Sequence, residues 1–239
     1  MGMGEKKSIG ILGGMGPLAT ADLFQKIVQL TQAATDRDHI RIYIDDHAQI
    51  PDRTAAILDG GEDPLPYMEE SVRKLTGCGA DCIIMPCNTA HFFLPALRKK
   101  APVPILSMLT ATEEAAKRAF EGKTAAILAT RGTLAAKLYQ TEFEKAGLSF
   151  LVPDETEQEK LMRVIYDGVK AGAPPTAYEE DLNAVLSSLT EKGTDFFVLG
   201  CTELPIAAKT LQETPPCIDP TEELAKYAIR FSGYIVKEY

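Results

Sequence analysis

The chain contains two copies of one short pattern, and this repeat limits the folds that it can adopt. In each copy an acidic residue precedes a short apolar run sized for a buried parallel strand, and a cysteine follows where the strand meets the next helix. The copies are residues 81–89, with Cys87, and residues 195–203, with Cys201. A second matched pair, residues 7–16 and 123–132, recurs at a similar offset of about 115 residues. The sequence therefore predicts two related halves, each contributing one thiol.

Strand-like and helix-like segments alternate along the chain. Strands are predicted near residues 8–13, 40–46, 81–86, 104–107, 124–129, 148–152, 195–200 and 216–218. Helical patterns lie between them, at residues 20–34, 66–75, 110–120, 133–146, 158–169, 178–189 and 221–236. This order predicts an α/β fold with two similar domains, each a mostly parallel sheet flanked by helices, related by pseudo-two-fold symmetry. The active site is expected in the cleft between the domains, at the carboxyl ends of the strands.

The length of the chain fits this division, because 239 residues are long for one core and sufficient for two small domains. The last predicted helix lies beyond the second repeat, so we expect it to pack back on the first half. The predicted N-terminal domain therefore consists of residues 1–106 and 214–239 and carries Cys87. The predicted C-terminal domain consists of residues 107–213 and carries Cys201.

Charge and hydropathy exclude several classes of partner. The net charge of −9, without a basic run, argues against nucleic acid and against an anionic membrane. No apolar stretch approaches the roughly 18 to 20 residues of a membrane helix, and the start lacks a signal-peptide core, so a cytoplasmic protein is expected. Any acidic ligand would need a local cationic pocket.

The cysteines and histidines do not form a disulfide or metal framework. Five cysteines are an odd number, and reduced thiols are expected in a chain without a secretion signal. Cys78 and Cys82 are four residues apart, and His39, His47 and His91 lack the close pairing of a helical zinc motif. No metal site is predicted, and the cysteines outside the repeated pair are expected to be structural.

A thiol between a strand and a helix has a distinct chemistry. The positive end of a helix and its free amide groups favour thiolate over thiol, so a lowered pKa is expected for both Cys87 and Cys201. Two such thiols from equivalent halves would face each other across a cleft. One can take a proton from one face of a carbon while the other delivers a proton to the opposite face, which inverts a stereocentre without a cofactor.

A dinucleotide-binding motif offers a competing interpretation. Residues 14–19 follow the first strand and fit Gly-x-Gly-x-x-Gly/Ala, and Asp45 or Asp46 is placed like a ribose-binding acid. The second-half turn, residues 129–132, does not preserve the glycines. A nicotinamide enzyme would also leave the paired cysteines unexplained, so this interpretation is not favoured.

Four segments together resemble the aspartate/glutamate racemase family, and its aspartate-specific branch in particular. They are Gly13-Gly14-Met15-Gly16-Pro17, Pro51-Asp52-Arg53-Thr54, Met85-Pro86-Cys87-Asn88-Thr89-Ala90-His91 and Gly200-Cys201-Thr202-Glu203-Leu204. The resemblance spans the chain and its segments occur in the family's order. It implies a cofactor-independent amino-acid racemase of two similar α/β domains, commonly a homodimer, that acts on aspartate with glutamate as a second possible substrate. Cys87 and Cys201 match the two family cysteines.

The resemblance also assigns substrate contacts, residue by residue. Arg53 matches the arginine that grips the distal carboxylate, and Lys170 matches a second cationic contact. Asn88, Thr89 and Thr202 would hold the α-carboxylate and amino group. Weaker candidates are Thr130, Thr133 and Met15. His91 and Glu203 lie near the cysteines in sequence, where each is placed either to tune a thiol pKa or to make a local helix-end contact.

Two alternatives to an aspartate racemase stay open at this point. Related two-cysteine enzymes racemise glutamate or hydantoins or isomerise maleate, and the Arg53 and Lys170 pair favours a short dicarboxylate among these. A non-catalytic sensor would instead bind an acidic amino acid in the cleft without turning it over. Retained binding without exchange of the α-proton would identify the sensor.

Overall fold

The computed structural model describes residues 6–237, and within them the chain forms two parallel sheets. The first sheet has the order β2-β1-β3, and the second has the order β5-β4-β6-β7. The strands are β1 (Ile9–Gly13), β2 (Ile42–Asp46), β3 (Cys82–Ile84), β4 (Thr124–Ala129), β5 (Ser149–Leu151), β6 (Phe196–Gly200) and β7 (Cys217–Ile218). All strand pairs are parallel. The predicted α/β class is confirmed.

Helices connect the strands and cover the sheets. They are α1 (Pro17–Leu30), α2 (Arg53–Leu58), α3 (Leu65–Gly77), α4 (Leu94–Lys100), α5 (Met108–Ala119), α6 (Arg131–Ala135), α7 (Leu138–Ala146), α8 (Glu155–Arg163), α9 (Glu179–Glu191), α10 (Leu204–Ala208) and α11 (Pro220–Phe231). Short 3₁₀ turns occupy Asp36–Asp38, Thr89–Phe93 and Pro175–Ala177, and a π-helix continues α8 over Val164–Lys170.

Each sheet is buried on both faces, as continuous apolar strands require. Neighbouring residues of a strand point to opposite faces, so Ile11 and Leu12 of β1 lie in two different core clusters. The same holds for Ile127 and Leu128 of β4 in the second sheet. Because successive residues are buried in cores on opposite faces of the sheet, these strands are unbroken hydrophobic runs.

The two sheets repeat one another. A parallel bridge between Ile83 and Ile105 extends the first sheet beyond β3, just as β7 extends the second sheet beyond β6. The central strands β1 and β4 are therefore equivalent, and so are β3 and β6, which lead into the two cysteines. This repetition places Cys87 and Cys201 at matching sheet edges.

The last helix packs on α1 of the first half and also on α5, which lies within residues 107–213. Leu224 and Ile229 of α11 share a core cluster with Ile9 of β1 and Leu23 of α1. An ion pair of 2.6 Å between Lys26 and Asp219 ties α1 to the start of α11. The division into residues 1–106 with 214–239 and residues 107–213 stays a proposal. The segment 214–239 includes β7, which pairs with β6 of the second sheet, so we propose that the chain returns to the first domain only after β7 and not at residue 214.

Candidate active site

Both repeated cysteines line one narrow cavity. Cys87 follows β3 and Cys201 directly follows β6, and each side chain is only 6% exposed. The space among the lining residues is about 280 Å³, a figure that includes space open to solvent. It is also lined by Met15, Arg53, Asn88, Thr89, Thr130, Lys170 and Thr202. Thr133 is the one residue of the predicted set that does not line it.

Arg53 brings a buried positive charge to this cavity. It is the first residue of α2, whose N-cap Asp52 accepts a hydrogen bond from the Ala55 amide. The guanidinium donates to the backbone carbonyls of Ile50, Pro51 and Met15 and lies within reach of the Cys87 thiol, while its Nε has no partner among the described residues. Burial opposes the charge, but the negative charges of Cys87 and Asp52 raise the pKa of Arg53. A buried cation with a free donor suits an anionic ligand.

Lys170 is the cation contributed by the other half. It lies at the end of the π-helix, with Nζ 4.3 Å from the centre of the Tyr166 ring. Burial of the ammonium group opposes its charge, while Glu203 and Cys201 raise the pKa of Lys170. Within residues 6–237 it forms no ion pair. Each half therefore places one cation and one thiol at the cavity.

Asn88 presents an unused amide donor. Its Oδ1 accepts a hydrogen bond from the hydroxyl of Tyr139, a fully buried residue of α7 in the other half. Its Nδ2 is buried and has no partner in the described part of the chain. Because the Tyr139 hydroxyl holds Oδ1 of the Asn88 amide, the orientation of the amide is fixed. Its Nδ2 is then available to donate to a ligand carboxylate.

Three threonine hydroxyls join the halves beside the cavity. Thr89 Oγ1 lies 3.0 Å from Thr130 Oγ1 and 2.9 Å from Thr133 Oγ1, and the last two are 3.1 Å apart. Thr130 also caps α6 by accepting from the Thr133 amide. Thr133 is fully buried behind Thr130, so its hydroxyl supports the cavity wall.

Cys201 is paired with a carboxylate. Its thiol donates a 2.9 Å hydrogen bond to Glu203 Oε2, which also accepts from the Thr202 hydroxyl at 3.2 Å. Burial, then the charge of Glu203, raise the pKa of Cys201 well above its ordinary value. The sequence-based expectation of a lowered pKa is thus wrong for Cys201, because it considered the helix end but not burial or the neighbouring acid.

His91 supports the backbone of Cys87 and does not contact its thiol. The Met108 amide donates to Nε2 at 3.0 Å, so the ring proton is on Nδ1, which donates to the Cys87 carbonyl at 2.9 Å. Burial lowers the pKa of His91 to about 4. Of the two interpretations of His91, the structure supports the local contact.

This buried neutral ring makes the protein less stable in acid. The pKa of His91 is about 4 when folded and near 6.5 when unfolded, so between these values only the unfolded chain binds the proton. Stability is full above pH 6.5 and falls toward pH 4. The unfolding free energy of wild type minus that of His91→Gln is expected to shrink by about 2 kcal/mol from pH 7 to 4.5, measured by urea unfolding. A difference that stays constant with pH would rule out this role.

Several residues at the site were not among the predicted ones. Asp52, Thr54 and Tyr166 line the cavity, and Glu203, considered only as a pKa modifier, lines it as well. Asp52 and Thr54 flank Arg53, and Tyr166 lies one helical turn before Lys170. These three residues could therefore have been found from their closeness in sequence to predicted substrate contacts. Tyr139 carried no such signal in the sequence.

Comparison with known proteins places the chain in a family. The model of the Asp/Glu/Hydantoin racemase family matches residues 12–228, so the chain belongs to this family. The racemases are isomerases, and the predicted enzyme class and family resemblance are confirmed.

Individual relatives carry different substrate names. The chain is 28% identical over 231 residues to the broad specificity amino-acid racemase RacX of Bacillus subtilis, covering 92% of this chain and 96% of the relative. It is 28% identical over 233 residues to a glutamate racemase of Lactobacillus acidophilus, covering 93% and 80%. The solved structure of Picrophilus torridus aspartate racemase superposes with a TM-score of 0.83 at 28% identity, covering 97% of this chain and 96% of that one. Across residues 6–237, no helix has the length and hydropathy to span a bilayer.

Proposed function

We propose that the protein interconverts L- and D-aspartate by proton transfer at the α-carbon, with Cys87 and Cys201 as the two acid–base groups and no cofactor. The observation that carries the proposal is the buried Arg53 guanidinium beside Cys87, which has a free Nε and no carboxylate partner among the described residues. A substrate with a side-chain carboxylate would supply the missing charge. The Asn88 amide and the threonine hydroxyls of Thr89 and Thr202 would hold the α-carboxylate and the amino group.

The proposed reaction balances without another reactant. The Cys87 thiolate takes the α-proton from one face, and the Cys201 thiol gives its proton to the opposite face of the resulting carbanion. Cys87 ends as a thiol and Cys201 as a thiolate, which is the starting state for the opposite enantiomer. Arg53, Lys170 and the amide donors stabilise the negative charge that develops on the substrate.

One observation favours aspartate over glutamate. A structural neighbour with a TM-score of 0.83 is an aspartate racemase. The glutamate racemase and broad specificity racemase among the relatives make glutamate the second substrate to test. The expected homodimer remains a prediction, which light scattering would measure.

The direct test is exchange in deuterium oxide. Incubation with L-aspartate, and separately with L-glutamate, is expected to remove the α-proton NMR signal and produce the D-enantiomer, faster for aspartate. Faster glutamate turnover would assign the enzyme to glutamate. Binding of either acid without exchange would contradict catalysis and support the sensor interpretation.

The Tyr139 hydroxyl is expected to matter for substrate affinity, because it orients Asn88. Tyr139→Phe should raise KM for aspartate about 3- to 10-fold, the loss expected for one neutral hydrogen bond, with a smaller change in kcat. Tyr227→Phe is a control, since Tyr227 of α11 packs against a core cluster of the first sheet that contains no residue lining the cavity. An equal change in KM in both variants would show that Tyr139 acts only through packing.

A further inference from the structure

The two halves differ at both positions that follow the thiol in the repeated motif. Cys87 is followed by Asn88 and Thr89, whereas Cys201 is followed by Thr202 and Glu203. At the position two residues after the thiol, the first half therefore has a hydroxyl and the second half a carboxylate. The repeat gives the cavity two thiols but only one thiol–carboxylate pair.

The carboxylate is placed to act on the thiol. Glu203 Oε2 accepts hydrogen bonds from Cys201 Sγ at 2.9 Å and from Thr202 Oγ1 at 3.2 Å. Cys201 and Glu203 are each 6% exposed, so solvent screens their interaction little. Glu203 forms no ion pair within residues 6–237, and the short bond joins it to the thiol directly.

Other charged groups near Cys201 do not form such a bond with it. Lys170 acts on the Cys201 charge through space, and so do the hydroxyls of Tyr166 and Tyr139. The remaining titratable groups around the cavity are Cys87, Arg53 and Asp52. Arg53 is the cation beside Cys87. Cys201 therefore has a hydrogen-bonded carboxylate and the Lys170 ammonium near it, whereas Cys87 has the Arg53 guanidinium.

We propose that Glu203 is a positioning residue that holds Cys201 as a thiol, so that the resting protein has its proton donor at Cys201 and its base at Cys87. The inference rests on the proposed two-thiol function and makes it asymmetric. The resting protein accepts the enantiomer whose α-hydrogen faces Cys87. After a turnover that starts at Cys87, the Cys201 thiolate lies beside the Glu203 carboxylate, and this repulsion favours the resting state: Cys201 takes a proton from water and the Cys87 thiol gives one to water.

The test measures the two thiols separately and needs no substrate. Brief alkylation with iodoacetamide across a pH series, followed by peptide mass spectrometry, gives a reactivity profile for each cysteine, because the thiolate is the reactive form. In wild type, Cys201 is expected to react only at a pH above that of a free thiol, because burial and Glu203 disfavour its thiolate. In Glu203→Gln the Cys201 profile is expected to move about 1 to 2 pH units lower, as for loss of a hydrogen bond to a charged group, while the Cys87 profile changes less.

Matched variants separate this role from general packing. Glu157→Gln changes another buried glutamate of the same half, which bonds Ser188 and Lys192 and not a thiol, so the Cys201 profile should stay in place. Glu203→Asp, which keeps the charge on a shorter side chain, should move the profile in the same direction by less than Glu203→Gln. An unmoved Cys201 profile in Glu203→Gln, or an equal shift in Glu157→Gln, overturns the proposal. Failure of racemisation alone would instead overturn the proposed function and leave these profiles unaffected.

Discussion

Replacing either cleft cysteine by serine is expected to lower racemisation of aspartate by about 10²- to 10⁴-fold, the usual contribution of a positioned acid or base. The serine hydroxyl is nearly isosteric with the thiol but ionises far less readily, so the fold should persist while proton transfer fails. Chiral chromatography measures the rate, and circular dichroism checks the fold. Cys78→Ser is the control, because Cys78 is exposed at the end of α3 and away from the cavity.

The two variants should also differ from each other. The remaining thiol reaches only one face of the α-carbon, so Cys201→Ser and Cys87→Ser are expected to retain slow α-proton exchange on opposite enantiomers in deuterium oxide. This pairing would reveal which thiol serves which enantiomer. A serine variant with full racemase activity would remove that cysteine from the mechanism.

Removing the charge of Arg53 is expected to weaken substrate binding more than any other change outside the thiols. Loss of one partner from a buried charged hydrogen-bonded pair costs about 2 to 5 kcal/mol, so Arg53→Met should raise KM for aspartate by at least about 30-fold. Arg53→Lys keeps the positive charge but loses the planar guanidinium that can bind a carboxylate with two hydrogen bonds. Its KM should therefore lie between that of wild type and that of Arg53→Met. Initial rates over a range of aspartate concentrations measure these values.

A second measurement distinguishes binding from folding. Saturating L-aspartate should raise the thermal midpoint of wild type but not that of Arg53→Met, because only a protein that binds the ligand gains its stabilisation. Arg98→Met is the control, since the Arg98 guanidinium also donates to a backbone carbonyl, that of Ile105, but lies outside the cavity. An unchanged KM in Arg53→Met would contradict its assignment as the carboxylate contact.

The strands were predictable because their signal is local. Each observed strand lies within two residues of its predicted limits at both ends, since runs such as Phe196–Gly200 are buried on both faces and have no polar interruption. Residues 104–107 contribute only the bridge at Ile105 and not a full strand. The repeat also predicted which strand ends would carry the thiols.

The helices were less predictable where local patterning and geometry disagree. The segment 133–146 reads as one helix, but Lys137 adopts a left-handed conformation and divides it into α6 and α7. Residues 49–66 contain several prolines and glycines and carry no helical pattern in the sequence, yet Asp52 caps α2 within them. A two-residue interruption and a six-residue helix both lie below what periodicity resolves.

The residues of the candidate site also differ in whether local sequence could predict them. Residues adjacent to a motif, such as Asn88 and Thr202, could be predicted to line the cavity from their position beside a cysteine. Tyr139 could not, because its contact with Asn88 spans 51 residues and depends on how α7 packs against the other half. The raised pKa of Cys201 was missed for a related reason, since burial follows from tertiary packing.

The packing of α11 on the first half sets an order of events during synthesis. Ile9 and Ile11 emerge from the ribosome early, but part of their core is supplied by Leu224, Ala228 and Ile229, more than two hundred residues later. The Lys7 amide likewise has no access to its hydrogen-bond acceptor, the carbonyl of Ser232, until the end of the chain is made. A nascent chain that ends before α11 therefore leaves part of one face of the first sheet exposed, and exposed apolar surface of this kind is what chaperones recognise. The second sheet, whose last strand ends at Ile218, has all of its strands before α11 emerges.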